Sequence, residues 1–249
     1  MSTPVTLPAA LAARLRTDAA QPFVTFYDDA TRERVELSVA TYANWVAKTA
    51  GLLTEELDAE RGGLVLIELP THWLSAVWLA AAWTVGMAVT DDPSLVDEAT
   101  LVVCGPDGVE HRADLAATVP VVALSLRPLG GRFTEPLPTG VVDYGAVVLA
   151  QPDVFAAYDP PAGSDPGWRD GDGTTSQADL VAQAVTSAVV GRGGRLLTDV
   201  NPCSRAGLDT LLAPLVLDAS TVWVRNAAPD GWSARAEQER ATAQLRARP

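Results

Sequence analysis

The sequence predicts an α/β fold, a mostly parallel or mixed sheet flanked by helices, from three observations. Apolar runs of strand length alternate with helical patterns along most of the chain, the order that βαβ units produce. Hydrophobic residues make up 48% and charged residues 20%, the balance of an ordinary folded globular protein. With 249 residues, roughly 70–75% of the unfolded surface is available for burial, so a core forms without disulfides or metals.

The elements follow in order. Leu7 to Ala20 reads as a helix, Phe23 to Tyr27 and Arg34 to Leu37 as a short hairpin around Asp28 and Asp29, and Val39 to Leu57 as an amphipathic helix behind Ser38. Leu64 to Leu69 is a strand, and Thr71 to Gly86 is a helix buried against a sheet. Met87 to Thr90, Leu101 to Cys104 and Val119 to Leu124 are strands. Ser176 to Val190, Ser204 to Leu212 and Trp232 to Arg246 read as helices, the last charged and peripheral, with strands at Arg195 to Thr198 and Thr221 to Arg225. Between the halves lies DPPAGSDPGWRDGDG, Asp159 to Gly173, where proline and glycine argue against regular structure and four aspartates favour solvent. Each half is too sparse in strands to close its own core, so one domain over residues 1–249 is expected.

Charge narrows the partners. The net charge of −13, from 18 basic and 31 acidic residues, disfavours nucleic acid and anionic membrane as partners. Cys104 and Cys203 stand far apart and outside any zinc-ligand spacing, so they read as reduced, buried thiols. The amino terminus lacks the pattern of a secretory signal, which makes the cytoplasm the expected location. Leu69 to Thr90, LPTHWLSAVWLAAAWTVGMAVT, has no Asp, Glu, Lys or Arg and is long enough to cross a bilayer. Glu68, Asp91 and Asp92 flank it and no basic cluster lies at either end, so a helix buried in the protein is expected instead.

The stretch RDGDGTTSQADL, Arg169 to Leu180, has a Gly-Thr-Thr ahead of a helix. Phosphate loops converge backbone N–H groups on an anion, with a lysine and a helix dipole to neutralise it. Gly171, Gly173, Thr174 and Thr175 offer such donors, and Ser176 with Asp179 forms an S-x-x-D capping box. Asp170, Asp172 and Asp179 repel phosphate, however, and Arg169 is the nearest cation. A solvated loop ending in a helix cap is the expectation. An EF-hand reading of DGDG breaks at Thr175, where glycine is required, and at Val181, where glutamate is required. No metal or cofactor is therefore expected.

Other candidates have simple structural readings. His72 sits at a helix start beside Trp73 and reads as a solvated or hydrogen-bonded helix end. His111, among Asp107, Glu110 and Asp114, reads as charged helix surface more readily than as a general base. TDDPSLVDE, Thr90 to Glu98, offers carboxylates for magnesium, but Pro93 and Ser94 make an ordinary turn sufficient. Trp45, Trp73, Trp78 and Trp83 read as core. Neither G-x-S-x-G, H-E-x-x-H nor G-x-x-x-x-G-K-[ST] is present.

The order of these segments resembles the amino-terminal part of the adenylate-forming, AMP-binding enzymes, the superfamily of acyl-CoA synthetases and related ligases. LSVATYANWVAKTAGLL, Leu37 to Leu53, is similar to that family's L-T-Y-x-E-L helix, and Gly62, Val65, Pro70 and Gly86 keep the rhythm of the segment that follows. SQADLVAQA, Ser176 to Ala184, resembles the T-H-x-N-L helix behind the phosphate loop, anchored by Leu180. NPCSRAGLDTLLAPLVLDASTVWV resembles P-x-F-H-x-x-G-L-x-x-x-L-x-P-L-x-x-G-A-x-x-V. In it Cys203 stands for a common phenylalanine and Ser204 for a common histidine, while Gly207, Leu208 and Pro214 agree.

The resemblance implies the fold of that family's first subdomain, but it also marks losses. The phosphate signature T-S-G-T-T-G-x-P-K-G belongs just ahead of Ser176, where SDPGWRDGDG has no Pro-Lys-Gly. The Y-G-x-T-E adenine motif, the T-G-D aspartate and the domain carrying the catalytic lysine have no counterpart in the sequence. The expectation is a non-catalytic binding or regulatory protein, with part of an adenylating enzyme completed by a partner subunit as the alternative. Arg169, Gly171, Gly173, Thr174, Thr175, Cys203 and Ser204 are the candidate ligand-binding residues, with residual nucleotide or acyl-CoA binding in view. A protein partner or a second copy covering a sheet edge is the expected kind of partner.

Overall fold

The computed structural model describes residues 5–247. Helix α1 (Leu7–Asp18) leads into strands β1 (Pro22–Asp28) and β2 (Glu33–Ser38), then helix α2 (Val39–Glu55). Strand β3 (Leu64–Glu68), helix α3 (Trp73–Val85), β4 (Ala88–Thr90) and β5 (Leu101–Cys104) follow. Next come α4 (Val109–Arg112), β6 (Val121–Ala123), β7 (Val141–Asp143) and α5 (Tyr144–Val147). Strands β8 (Pro166–Asp170) and β9 (Gly173–Ser176) precede α6 (Gln177–Thr186), β10 (Arg195–Thr198) and α7 (Asp209–Val216). The described chain closes with β11 (Ser220–Arg225), α8 (Trp232–Gln238) and β12 (Ala243–Leu245).

These strands form two sheets. The first has the order β12-β10-β11-β1-β2, parallel except for β2. The second has the order β7-β6-β5-β3-β4-β8-β9, parallel except for β9. Helices α2 and α7 pack on the first sheet, α3 and α6 on the second, and α2 meets α3 as α6 meets α7. One apolar core fills the space between the sheets, with contributors from Leu7 in α1 to Trp223 in β11. The far side of the first sheet is covered around α8, where Trp232 and Ala236 pack on Tyr27 and Val222. On the far side of the second, Val109 and Leu115 pack on Val102 and Val121.

Helix α3 shows why an uncharged run need not enter a membrane. Its thirteen residues span about 20 Å, and every one except Thr84 is buried. It is apolar all round because it lies between α2 and the second sheet. The helix stops at Gly86, whose φ of 88° suits glycine and whose N–H caps the carbonyls of Ala82 and Trp83. Among the described residues, no helix is long and apolar enough to cross a membrane.

Three stretches depart from the sequence expectation. The end of the stretch read as loop, residues 166–173, forms with residues 174–176 the β8–β9 hairpin. Pro166 is tolerated as the first strand residue, and Gly167 lets Leu180 pack close, since a Cβ would lie 2.6 Å from Leu180 Cδ1 and force it to shift. Trp168, fully buried, anchors the strand. The final helix ends at Gln238; Arg240 turns through a positive φ of 51°, and Ala243–Leu245 joins the sheet beside β10. Val141–Asp143 adds an outer strand that its short length had concealed.

The capping box at Ser176 is present. Its Oγ accepts the Asp179 N–H at 3.1 Å and donates to Asp179 Oδ2 at 2.7 Å. Ser176→Ala is expected to cost about 1 kcal/mol in denaturant unfolding, whereas Ser176→Asp should lose little of the cap.

Candidate functional site

Parallel α/β sheets place ligands beyond the carboxyl ends of their strands. Here three segments meet at that edge: Asp91 and Asp92 after β4, the β8–β9 turn, and the Asn201–Arg205 loop after β10. The hairpin register pairs Trp168 with Thr175, Arg169 with Thr174 and Asp170 with Gly173. Only Gly171 and Asp172 remain for the turn, so the expected solvated loop is a tight hairpin that runs directly into the capped helix α6.

Of the two aspartates at this turn, Asp170 is occupied internally. Asp170 Oδ2 accepts from the Trp168 indole at 2.9 Å, and its Oδ1 accepts the Asp172 N–H at 3.0 Å. Arg169 pairs with Glu98. Arg205 approaches Asp170 at 3.8 Å and hydrogen-bonds Gln183 at 3.3 Å. The Asp91 carboxyl is raised above its ordinary range, chiefly by burial, although it also accepts the Arg205 N–H. Among the described residues, no group of three or more His, Cys, Asp or Glu is arranged to hold a metal.

The second half of the site is rigid. Asn201 Nδ2 donates to Leu69 O at 2.7 Å, and its Oδ1 accepts the Cys203 N–H at 3.0 Å. Ser204 Oγ donates back to Asn201 O at 2.8 Å. Cys203 is buried, its thiol 3.5 Å from Ser75 O, and burial pushes that thiol far above its usual range. It is a core residue and not a nucleophile at neutral pH. The fold thus brings Ser204 and the Arg169–Thr175 hairpin to one edge, joined through Arg205, and turns Cys203 inward. Arg205 was missed, and Asp91 was weighed only as a magnesium carboxylate, because nothing local in the sequence says that they meet Asp170.

Gly207 explains the tight return of this loop. A Cβ on it would lie 1.8 Å from Asn201 O, a backbone atom that has no free direction to move. Gly207→Ala is therefore expected to lower stability by about 1–3 kcal/mol and to loosen the Asn201–Ser204 turn, seen as faster amide exchange at Cys203.

The two histidines separate cleanly. His111 is exposed on α4. His72 is 1% exposed, so the solvated alternative fails and the hydrogen-bonded one stands: its Nδ1 accepts the Leu74 N–H at 3.1 Å and caps α3. At the end of β3, Glu68 and Arg112 form a bidentate pair, with Nε to Oε2 at 2.7 Å and Nη2 to Oε1 at 2.5 Å. Burial beside Glu68 pushes the Cys104 thiol up to about 11.

This architecture defines the class: the fold is that of the amino-terminal subdomain of the adenylate-forming enzymes. An acyl-CoA synthetase from Brucella canis superposes with a TM-score of 0.78 at 17% identity, over 97% of this chain and 47% of that one. Acetoacetyl-CoA synthetase from Streptomyces lividans gives 0.80 at 18% identity, over 97% and 42%. Coronafacic acid ligase from Pectobacterium brasiliense gives 0.77 at 10% identity, over 97% and 50%. The chain spans about half the length of these solved structures, and at such identities the likeness is one of fold. No family model matches the chain. A TIGR03089 family protein from Mycobacterium tuberculosis is 36% identical over 254 residues, covering 97% of this chain and 99% of its own length. The chain belongs to the TIGR03089 family.

Proposed function

We propose that this chain is a ligand-binding or regulatory protein on an acyl-CoA synthetase-like scaffold, without ATP-dependent adenylation of its own. The observation that carries the reading is the two-residue turn at Gly171 and Asp172. The resemblance puts the signature T-S-G-T-T-G-x-P-K-G at this place, with glycine-rich backbone and a lysine around the phosphates. A phosphate at the present turn meets Asp170 and Asp172, and the two adjoining arginines are engaged, Arg169 with Glu98 and Arg205 with Asp170 and Gln183. Stabilising a transferring group electrostatically is usually the largest catalytic contribution. The turn lies inside the chain, so the reading does not depend on what precedes or follows it.

Residual ligand contacts are assigned to the backbones of Gly171, Gly173, Thr174 and Thr175, to the Ser204 hydroxyl, and to Arg169 once a ligand displaces Glu98. ATP–pyrophosphate exchange with a broad panel of carboxylic acids is expected to stay at background, and exchange with any acid refutes the reading. A thermal-shift series with ATP, AMP, acyl-adenylate analogues and acyl-CoAs tests the binding half. A ligand at one hundred times its dissociation constant adds roughly 2.7 kcal/mol. No shift with any of them counts against a nucleotide or acyl-CoA ligand.

A second reading, an adenylating enzyme completed by a partner, rests on the fold shared with the acyl-CoA synthetases and ligases. A copurifying subunit that restores exchange supports it; a partner-free protein that binds none of these ligands opposes it.

A further inference from the structure

An open cavity of about 1060 Å³ lies at the outer end of the second sheet, walled by residues 127–137 of the β6–β7 connection and by Val141, Asp143 and Ala146. Its size reaches that of small-molecule sites. The connection leaves the carboxyl end of β6, on the side of a parallel sheet where ligands bind. β7 is five strand positions from β8 in the order β7-β6-β5-β3-β4-β8-β9, or roughly 24 Å at the usual spacing. The cavity is therefore separate from the β8–β9 turn, and none of the residues of that turn lines it.

The wall is held in one shape. Ser125 Oγ donates to Gly131 O and accepts the Arg127 N–H at 3.3 Å, and Arg127 pairs with Gly131 in an antiparallel bridge. Asp143 Oδ2 accepts the Phe133 N–H and its Oδ1 the Gly145 N–H, each at 3.0 Å. A Cβ on Gly145 would lie 2.6 Å from the backbones of Gly131 and Arg132, so α5 closes directly on the loop. Leu126 and Leu129 turn through positive φ angles of 54° and 58°, a strained conformation for leucine of the kind that collects at ligand clamps. A loop fixed in this way presents its side chains with little left to order on binding.

The chemistry of the wall selects the ligand. Arg127 and Arg132 both line the cavity, and they are the only Lys or Arg between Arg112 and Arg169. Among the described residues they make no ion pair, whereas Arg112 and Arg169 are bound to Glu68 and Glu98. Asp143 and Glu135 line the cavity as well. The Asp143 oxygens are turned onto the Phe133 and Gly145 N–H groups, which leaves the guanidiniums as the free charged donors. Guanidinium forks match a carboxylate, and the two acidic residues oppose a ligand with a second negative charge. Half-buried Phe133 and Leu137, with Pro136 beside them, supply an apolar wall. We propose that this cavity binds an amphipathic organic monocarboxylate, its carboxylate held by Arg127 and Arg132 and its apolar body laid on Phe133, Leu137 and Pro136. Binding here needs nothing from the β8–β9 turn, so the two sites succeed or fail separately.

Benzoate is the probe, with benzamide, acetate and inorganic phosphate as comparators. In nitrogen-15-labelled protein, benzoate is expected to shift the Arg127 and Arg132 side-chain N–H resonances and the Phe133 and Gly145 amides saturably, in the low-millimolar range. Both arginines are exposed, so Arg127→Met and Arg132→Met should fold like the parent, which the urea midpoint checks, and each should weaken benzoate at least about fivefold. Benzamide lacks the charge and acetate lacks the ring, and each should bind at least about tenfold more weakly than benzoate. A response that does not saturate, unchanged affinity in the arginine variants, or shifts confined to the Gly171–Thr175 segment overturns the assignment. So does benzamide, acetate or phosphate binding as tightly as benzoate.

Discussion

Trp83→Ala is expected to lower the stability of the chain by about 3–5 kcal/mol, the cost of emptying a tryptophan-sized space in a close-packed core. Trp83 is fully buried on α3, and its indole Nε1 donates to Gly167 O at 2.7 Å. Gln177 Nε2, at the start of α6, donates at 3.0 Å to the backbone oxygen of the same tryptophan. The indole ties α3 to β8, while the carbonyl, which alanine keeps, ties α3 to α6, so the substitution loosens the strand that holds the candidate site. The midpoint of urea unfolding measures the main effect. Trp83→Phe separates the contributions, because it retains much of the volume and loses only the hydrogen bond, so about 1–3 kcal/mol of the cost should remain. Equal stability of the alanine variant and the parent would show that Trp83 does not bridge these elements.

The parts of this fold that were legible in the sequence are those whose signal is local. LVVC at 101–104 is a strand because four apolar residues in a row suit a parallel sheet covered on both faces. Val39–Glu55 is a helix because Ser38 caps it and its apolar residues recur on one face. The hairpin at 166–176 was hidden because Pro166, Gly167, Gly171 and Gly173 all read as loop residues. What makes it a hairpin is remote: Trp83 reaching Gly167, and Leu180 packing against that glycine. In the same way β12 is a strand only because Leu196 and Leu197 lie beside it.

The candidate site divides along the same line. That no T-S-G-T-T-G-x-P-K-G signature stands ahead of Ser176 was readable from the absent lysine and the crowded aspartates. That Asp170 is consumed by Trp168 and Asp172, Arg169 by Glu98, and that Arg205 ties the hairpin to the Asn201 turn, required the tertiary structure.

His72 also sets an acid limit on the fold. Burial, reinforced by the Arg225 charge and opposed by Asp28, pushes its pKa down to about 3, against about 6.5 in an unfolded chain. The native state therefore binds fewer protons than the unfolded state throughout that window. The sign follows: the contribution of His72 to stability is fully present above about pH 6.5 and falls as pH drops toward the folded value. The slope for one proton is at most about 1.4 kcal/mol per pH unit. Between about pH 6.5 and 4.5 the loss should reach on the order of 2–3 kcal/mol. Carboxylates titrating at the lower end of this range add their own slope, so the measurement is a difference. Unfolding free energies of the parent and of His72→Asn, which keeps a cap acceptor without a titratable ring, are compared at steps across the window. The parent should lose stability more steeply, with the two curves converging or crossing as pH falls. Parallel curves would mean that His72 takes up its proton in the native state, which a ring sealed between Phe26 and Trp73 should not permit.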